Sequence, residues 1–462
     1  MTPLPRLAAL TSVLVLAALA PAPAAAQSLS EEACRDALGV QAACVGGGKL
    51  GERAAAECRR LGIVSDEECW ARVGRRVVRS EIAAYEQSHT HRTLAFQYAL
   101  GNDVPLRNAP WIGTHNSFNS PHEEPTVSHT DSNQQLSLTD QLRLDVRSLE
   151  LDVHWIPSPR AGGAFAPVVC HGQGAAGCTT ERLLGEHLAE LRPWLDANRD
   201  QVLLLYLEDQ IGDRAGYDAT AKVVRDGLGA RLYRPRGTGC RRVPLDLTRS
   251  DVLAAGAQVL VVSSCGAGGW PGVAHDWPSG THRFESRPQG YEAFPACGAP
   301  GAAKSDSLIV RSFEDSTFVA PATEPTGFSS ADDGLTPATV REMVRCGVDL
   351  FGFDQLLPGD GRLPAAAWSW APGQPRADDG ACTVQRGDRR WGSAACREKH
   401  PPACRSAGGR WTVLRKAVAH RKAAGACADA GLRFATPRTG AENQALRDAA
   451  ASSKRHVWLS LR

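Results

Sequence analysis

Between about residues 108 and 360 the chain alternates short, nearly continuous apolar runs, rich in β-branched residues and Leu, with polar or Gly-rich loops and helix-like stretches. The runs are Pro110 to Gly113, Ser148 to Trp155, Pro167 to Cys170, Val202 to Leu207, Gln258 to Ser263, Leu308 to Arg311 and Val348 to Phe353. Parallel strands covered by helices on both faces read this way, because neither face can afford polar side chains. Helical periodicity lies between the runs, as in Thr180 to Asn198 and Ala219 to Leu228. Seven or eight such units in about 250 residues predict a closed TIM-like α/β barrel, with an open doubly wound sheet as the alternative. No GxGxxG follows a strand, so a dinucleotide site has no support.

The flanks differ in texture. Arg6, an apolar run from Leu7 to Leu19 and Ala24-Ala25-Ala26 before Gln27 have the layout of a secretory signal peptide over residues 1–26, and nothing later is long enough to span a bilayer. Secretion is therefore expected. The 14 cysteines, an even number with no CxxC pair, then favour disulfides over zinc, and the short Cys170 to Cys178 loop is the first candidate pair. Residues 27–100 read as a helical, Cys-rich accessory region, with Ser30-Glu31-Glu32 as a capping signature and Cys34, Cys44, Cys58 and Cys69 placed to staple short helices. The barrel is assigned to 101–362 and a third module to 363–462. With 52 Lys plus Arg against 50 Asp plus Glu, no broad basic surface for nucleic acid is expected.

Four segments fall where barrel strands should end, which is where catalytic groups of such barrels gather. They are Gly113-Thr114-His115-Asn116-Ser117, Glu150-Leu151-Asp152, Cys170-His171-Gly172 and Leu205-Tyr206-Leu207-Glu208-Asp209. Glu150 and Asp152, two apart on a strand, project to the same side. Glu208 closes an apolar run. Three acids brought together repel one another, and a hard cation relieves them; with the amide oxygen of Asn116 the set is all oxygen, which suits calcium better than magnesium. His115 and His171 can trade protons near neutral pH. A metal flanked by two imidazoles points to phosphoryl chemistry. Arg311 and Asp354, at two further strand ends, read as ion-pair partners before phosphate or hydroxyl contacts, and Pro121-His122-Glu123-Glu124 with His129 as polar lid residues.

His115-Asn116, the Arg147-Ser148-Leu149-Glu150-Leu151-Asp152 run, His171-Gly172 and the Leu-rich strand ending in Glu208 resemble the X-region motifs of phosphatidylinositol-specific phospholipases C over residues 108 to about 356. The retained acids are similar to those of the calcium-dependent type. The resemblance implies a barrel of the PLC-like phosphodiesterase type, Asn116, Glu150, Asp152 and Glu208 as Ca2+ ligands, and His115 and His171 as catalytic. It further implies cleavage of phosphatidylinositol or a related inositol lipid at a membrane surface through a cyclic inositol phosphate. In that reaction His171 protonates the leaving alkoxide, and Glu150, Asp152 or His115 is the base. Another lipid or glycerophosphodiester hydrolase on the same scaffold, or an inactive secreted binding or adhesion protein, are the rival readings.

In the last module, Trp370-Ala371-Pro372-Gly373-Gln374-Pro375, Cys382, Arg390-Trp391, Cys396 and Cys404 resemble the second half of a C-type lectin-like domain. Cys427 to Leu461, with Phe434-Ala435-Thr436-Pro437, Glu442-Asn443-Gln444 and Val457-Trp458-Leu459, resembles the first half, so the order is reversed. Arg376 and Gly392-Ser393 stand where sugar-binding members have calcium ligands. Calcium-held glycan is thus not expected; protein or surface contact, or glycan contact without calcium, is read before a purely structural role, on a chain expected to be a monomer.

Overall fold

The computed structural model describes residues 79–120, 133–171, 178, 181–235, 240–265, 269–276, 282–286, 309, 311–314, 335–450 and 455–461. Two helices lead in, α1 (Arg79–Glu86) and α2 (His89–Leu100). Ser88 starts α2 by accepting the His91 N–H at 3.1 Å, satisfying one of the donors a helix leaves unpaired at its start. There follow β1 (Trp111–Thr114), α3 (Leu138–Arg143), β2 (Ser148–Pro157), β3 (Phe165–Val169), α4 (Leu184–Ala197), β4 (Leu203–Gln210), α5 (Arg214–Leu228) and β5 (Arg241–Arg242). Next come α6 (Arg249–Ala254), β6 (Val259–Ser263), β7 (His275–Asp276), β8 (His282–Ser286), β9 (Arg311–Glu314), α7 (Pro337–Cys346), β10 (Leu350–Phe353) and α8 (Arg362–Ala366). No described helix is long and apolar enough to cross a membrane.

The strands hydrogen-bond in the order β5-β7-β6-β4-β2-β1-β10-β9-β8, a curled parallel half-barrel. Alternation along each strand sorts the side chains. Leu149, Leu151, Val153, Leu203, Leu205 and Leu207 pack with Leu184, Leu188 and Leu191 of α4 and Val224 and Leu228 of α5. Trp111, Leu204, Leu260, Val262 and Leu350 fill the concave face. Gly113 lets β1 lie tight between its neighbours: a Cβ there would stand 2.9 Å from the Phe351 carbonyl oxygen and from Ser148 Cβ.

Two expectations are corrected. Among the described residues β5 and β8 end the strand path and do not pair with each other, so the closed barrel is replaced by an open, curled sheet; β5 and β7, two residues each, offer few backbone groups for closure. The run at Pro167 to Cys170 does not supply a parallel strand either. It forms β3, which returns antiparallel along β2, because Gly162 and Gly163, at φ 65° and 86°, reverse the chain through the left-handed region. The signal-like segment, the four N-terminal cysteines and the lid residues from Pro121 to His129 lie outside the described residues.

Beyond α8 the chain builds two three-stranded sheets from β11 (Cys382–Gln385), β12 (Trp391–Ala394), β13 (Ala403–Arg405), β14 (Trp411–Val413), β15 (Arg433–Phe434) and β16 (Val457–Trp458), with α9 (Ala423–Asp429) and α10 (Gly440–Ala449). The two segments read separately in the sequence interlock, since β16 pairs with β11 and β15 with β13. The Cys404–Cys427 disulfide joins the two segments, and Cys382–Cys396 closes the β11–β12 hairpin. Asn443 of α10 is the polar centre: its Oδ1 accepts from Gln385 Nε2 and Trp391 Nε1, each at 2.8 Å. The chain divides into two compact units, and all that is described belongs to the one formed by Val77–Arg462 with Arg60–Gly62.

Candidate active site

The parallel register sets the acids. Glu150 pairs with Tyr206, and Asp152 with Glu208; paired residues point to one face, so all three carboxylates project from the concave side toward the carboxyl ends of the strands. Oxygen atoms of Glu150, Asp152 and Glu208 lie within 4.8 Å of one another. Glu150 and Asp152 are buried and Glu208 half-buried. Burial, and then the neighbouring Glu208 and Glu150 charges, push Asp152 well above the usual carboxylate range. Burial likewise raises Glu150, against the pull of His115 and Arg311.

Asn116 completes the group. It follows β1 in the left-handed region, at φ 41°, and its backbone N–H donates to Glu150 Oε2 at 3.4 Å. Its amide lies 3.1 and 3.2 Å from the two Asp152 carboxylate oxygens, oriented oxygen to oxygen. The contact becomes favourable in two ways: the amide turns to donate, or a cation lies between. Three carboxylates, two of them buried and raised in pKa, with an amide oxygen beside them are a donor set of the kind that suits a hard divalent cation.

The turn carrying His115 and Asn116 is anchored from below. Ser117 Oγ accepts the Glu150 N–H at 2.8 Å and donates to the Thr114 carbonyl at 3.0 Å. Gln141 Nε2 donates to the carbonyls of Ser117 and Leu136 at 2.7 and 2.8 Å. His115 faces Asp354, whose two oxygens lie 3.3 and 3.4 Å from Nδ1. A carboxylate can only accept, so Nδ1 carries the proton and Nε2 is left for chemistry. Asp354 is itself fully buried. Its N–H donates to Glu314 Oε2 at 2.8 Å, and Arg362 donates to its carbonyl at 2.7 Å.

His171 lies in the loop closed by the Cys170–Cys178 disulfide. Asn119 Nδ2 approaches its Nδ1 at 3.0 Å; an amide N–H only donates, which leaves Nε2 protonated in the neutral ring. Asn119 also donates to Asn133 Oδ1 at 2.8 Å, and Asn133 donates to Asp354 Oδ2 at 3.4 Å. The two histidines are therefore joined by one chain of polar side chains, His171-Asn119-Asn133-Asp354-His115. Sequence reasoning missed Asn119, Asn133 and Gln134. They flank a polar stretch of sequence where no periodicity or motif marks them, and only the fold brings them together.

Arg311, read as an ion-pair partner, lies within electrostatic reach of Glu150. Its guanidinium carbon stands 4.5 Å from the centre of the Phe313 ring and 5.4 Å from that of Tyr206, inside the concave face, where its charge draws on Glu150. Asp354, read as an ion-pair residue, faces the His115 ring.

The uncharacterized protein Rv2075c of Mycobacterium tuberculosis strain H37Rv is 46% identical over 420 residues, covering 87% of this chain and 86% of its own. Its counterpart in strain CDC 1551 matches equally. Among solved structures, phosphatidylinositol-specific phospholipase C from Listeria monocytogenes is 12% identical, over 60% of this chain and 98% of its own, at a TM-score of 0.37. A Staphylococcus aureus phosphatidylinositol-specific phospholipase C is 12% identical, over 61% and 98%, at 0.39. The family model described as the Rv2075c PI-PLC-like domain matches residues 71–360, and the chain belongs to that family.

Proposed function

We propose that the protein is an exported, calcium-dependent phosphodiesterase that cleaves phosphatidylinositol or a related inositol lipid through a cyclic inositol phosphate. The convergence of Glu150, Asp152 and Glu208 with Asn116, beside a His115 oriented by Asp354, carries the reading. Asn116, Glu150, Asp152 and Glu208 would hold Ca2+, which when bound lowers the pKa of a nearby hydroxyl and offsets phosphoryl charge.

The remaining steps belong to the chain. His115 Nε2, bare because Nδ1 faces Asp354, takes the proton of the inositol 2-hydroxyl as that oxygen attacks phosphorus. The bond from phosphorus to the glycerol oxygen breaks, and His171 gives its Nε2 proton to the departing alkoxide. The diacylglycerol leaves neutral and the phosphate remains as a cyclic diester. Phe165, 56% exposed at the far end of the β2–β3 hairpin with Trp155 beside it at 5.7 Å, supplies apolar surface at the end of the sheet where the acids lie, which supports approach to a lipid surface. The disulfides support export. We read 101–362 as the catalytic domain and 363–462 as a permuted lectin-like module for protein or surface contact, on a monomer.

The test is purified protein incubated with phosphatidylinositol, phosphatidylcholine or glycerophosphodiesters, with and without chelator, followed by phosphorus NMR. Cyclic inositol phosphate that disappears with chelator is the expected result, and His171→Ala should lower turnover about 100-fold. Hydrolysis of glycerophosphodiesters alone would move the substrate class, and chelator-insensitive turnover would remove the metal.

A further inference from the structure

Glu150, Tyr206, Val262, His275 and Arg241 form one register row across β2, β4, β6, β7 and β5. Residues paired across parallel strands share a face, so the row places His275 and Arg241 on the same concave side as the acidic cluster. At about 4.8 Å per strand, His275 stands about 14 Å along the sheet from Glu150. The two ends of the row have opposite character.

Around His275 lies a cavity of about 340 Å³, lined by Tyr233, Arg234, Arg241 and Arg242 among others, with no carboxylate among its described lining residues. The three arginines are exposed, and none of their side chains makes an ion pair or hydrogen bond with a described residue. Asp276 pairs with Arg242 along the strands, so by register both belong to the face opposite Arg241, and Arg234 and Arg241 are the guanidinium groups that face His275. His275 is only 3% exposed, its ring stacked on Tyr233 at 5.9 Å and 16°. Its Nδ1 has no hydrogen-bond partner. A buried ring nitrogen without a partner is uncommon in a folded protein and calls for a ligand or water.

The guanidinium groups of Arg234 and Arg241 ask for a compact group with several acceptor oxygens and negative charge; the His275 ring, neutral by burial and bonded through its other nitrogen to the Val261 backbone, presents Nδ1 as an acceptor that suits the hydroxyl of a hydrogen phosphate. Guanidinium forks match the paired oxygens of phosphate closely. We infer that this pocket is a second, metal-independent site that binds a phosphate-type oxyanion. The inference stands on the arginines and His275 and does not require the phospholipase reading. The anion is either free phosphate or a phosphomonoester carried on an organic headgroup.

The experiment is isothermal titration of the full chain in chelator, so that no metal-held anion contributes, first with inorganic phosphate and then with inositol monophosphate. Saturable binding is expected, weakened at least tenfold in the Arg234→Gln/Arg241→Gln chain and weakened also by His275→Phe, which keeps the stacked ring and removes the nitrogen. Both arginines are exposed, so the double variant should melt as the parent does. Tighter binding of inositol monophosphate identifies an organic headgroup as the ligand; equal binding of the two identifies the free anion. Absence of saturable binding to either, or equal binding by parent and double variant, overturns the site. Because neither turnover nor metal enters the measurement, its failure is distinguishable from failure of the proposed lipid cleavage.

Discussion

Asp152 shows how a residue can be costly alone and useful in company. It is buried beside two other carboxylates, and its folded pKa is raised by burial and then by Glu208 and Glu150. The sign follows directly: a group whose folded pKa exceeds its unfolded value adds stability below the unfolded value, about 4 for a carboxylate, and that stability is lost as pH rises through the folded value. In chelator, melting temperature should therefore fall as pH climbs above the ordinary carboxylate range. Asp152→Asn removes the charge and keeps the shape, so at pH 7 in chelator it should melt higher than the parent. The parent should be stabilised by calcium, by about 2.7 kcal/mol at one hundred times its Kd, and Asp152→Asn by much less. A parent chain whose melting ignores calcium would dismiss the cation. Asp354 acts one atom further out, through His115. Asp354→Asn lets the amide donate to Nδ1 and favours the wrong tautomer, so turnover should drop about 100-fold, while substrate KM changes little.

At the scale of elements, Arg362 at the start of α8 ties β9 to the end of β10. It is fully buried, as are its partners Glu314 and Asp360, and Glu314 also accepts the N–H groups of Leu335 and Asp354, each at 2.8 Å. Arg362→Met strands two buried carboxylates and should cost about 3–5 kcal/mol in urea unfolding. The N-terminal helices have their own tie. His91 of α2 contacts Asp145 at 3.0 Å, and that hydrogen bond raises the histidine pKa above its usual value despite partial burial. Its stabilising share is complete below about pH 6.5 and fades as pH rises through the raised value, so His91→Gln should flatten the loss of stability between pH 6 and 8. These elements differ in how far the sequence announces them. The apolar runs that became β1, β2, β4, β6 and β10 are visible because burial on both faces forbids polar residues, and the ExD pair is visible because strand alternation is a local rule. Closure and pairing direction are not local: nothing in Pro167 to Cys170 distinguishes a returning hairpin strand from a parallel one, and the open edge follows from how short β5 and β7 are. The polar chain through Asn119, Asn133 and Asp354 joins residues more than 230 positions from one end to the other, beyond the reach of any motif.

For the molecule as a whole, the question is whether the half-barrel and the C-terminal sheets stand or fall together, and α2 decides it. Its Leu94 belongs to the helix-side core, Tyr98 to the concave core, and Phe96 and Leu100 pack on the tryptophan cluster of the C-terminal sheets. One side chain bridges them. Gln97 Oε1 accepts from the backbone N–H groups of Trp368 and Ser369 at 2.7 and 2.9 Å and lies 3.0 Å from the Ser369 hydroxyl, while its Nε2 donates to the Ala366 carbonyl at 3.3 Å. All four partners are buried, so Gln97→Ala orphans each of them, at about 1–3 kcal/mol for every group that water cannot reach. Five of the 11 tryptophans, Trp368, Trp370, Trp391, Trp411 and Trp458, lie in the C-terminal sheets or at their entry and six lie before them, so fluorescence follows both halves, while far-UV circular dichroism follows mainly the helices of the half-barrel. Because α2 contributes to the helix-side, concave and C-terminal cores, both signals should move to lower urea together in Gln97→Ala and remain coincident. A fluorescence transition that moves alone would mean that the C-terminal sheets unfold independently, with α2 leaning on them without transmitting their stability.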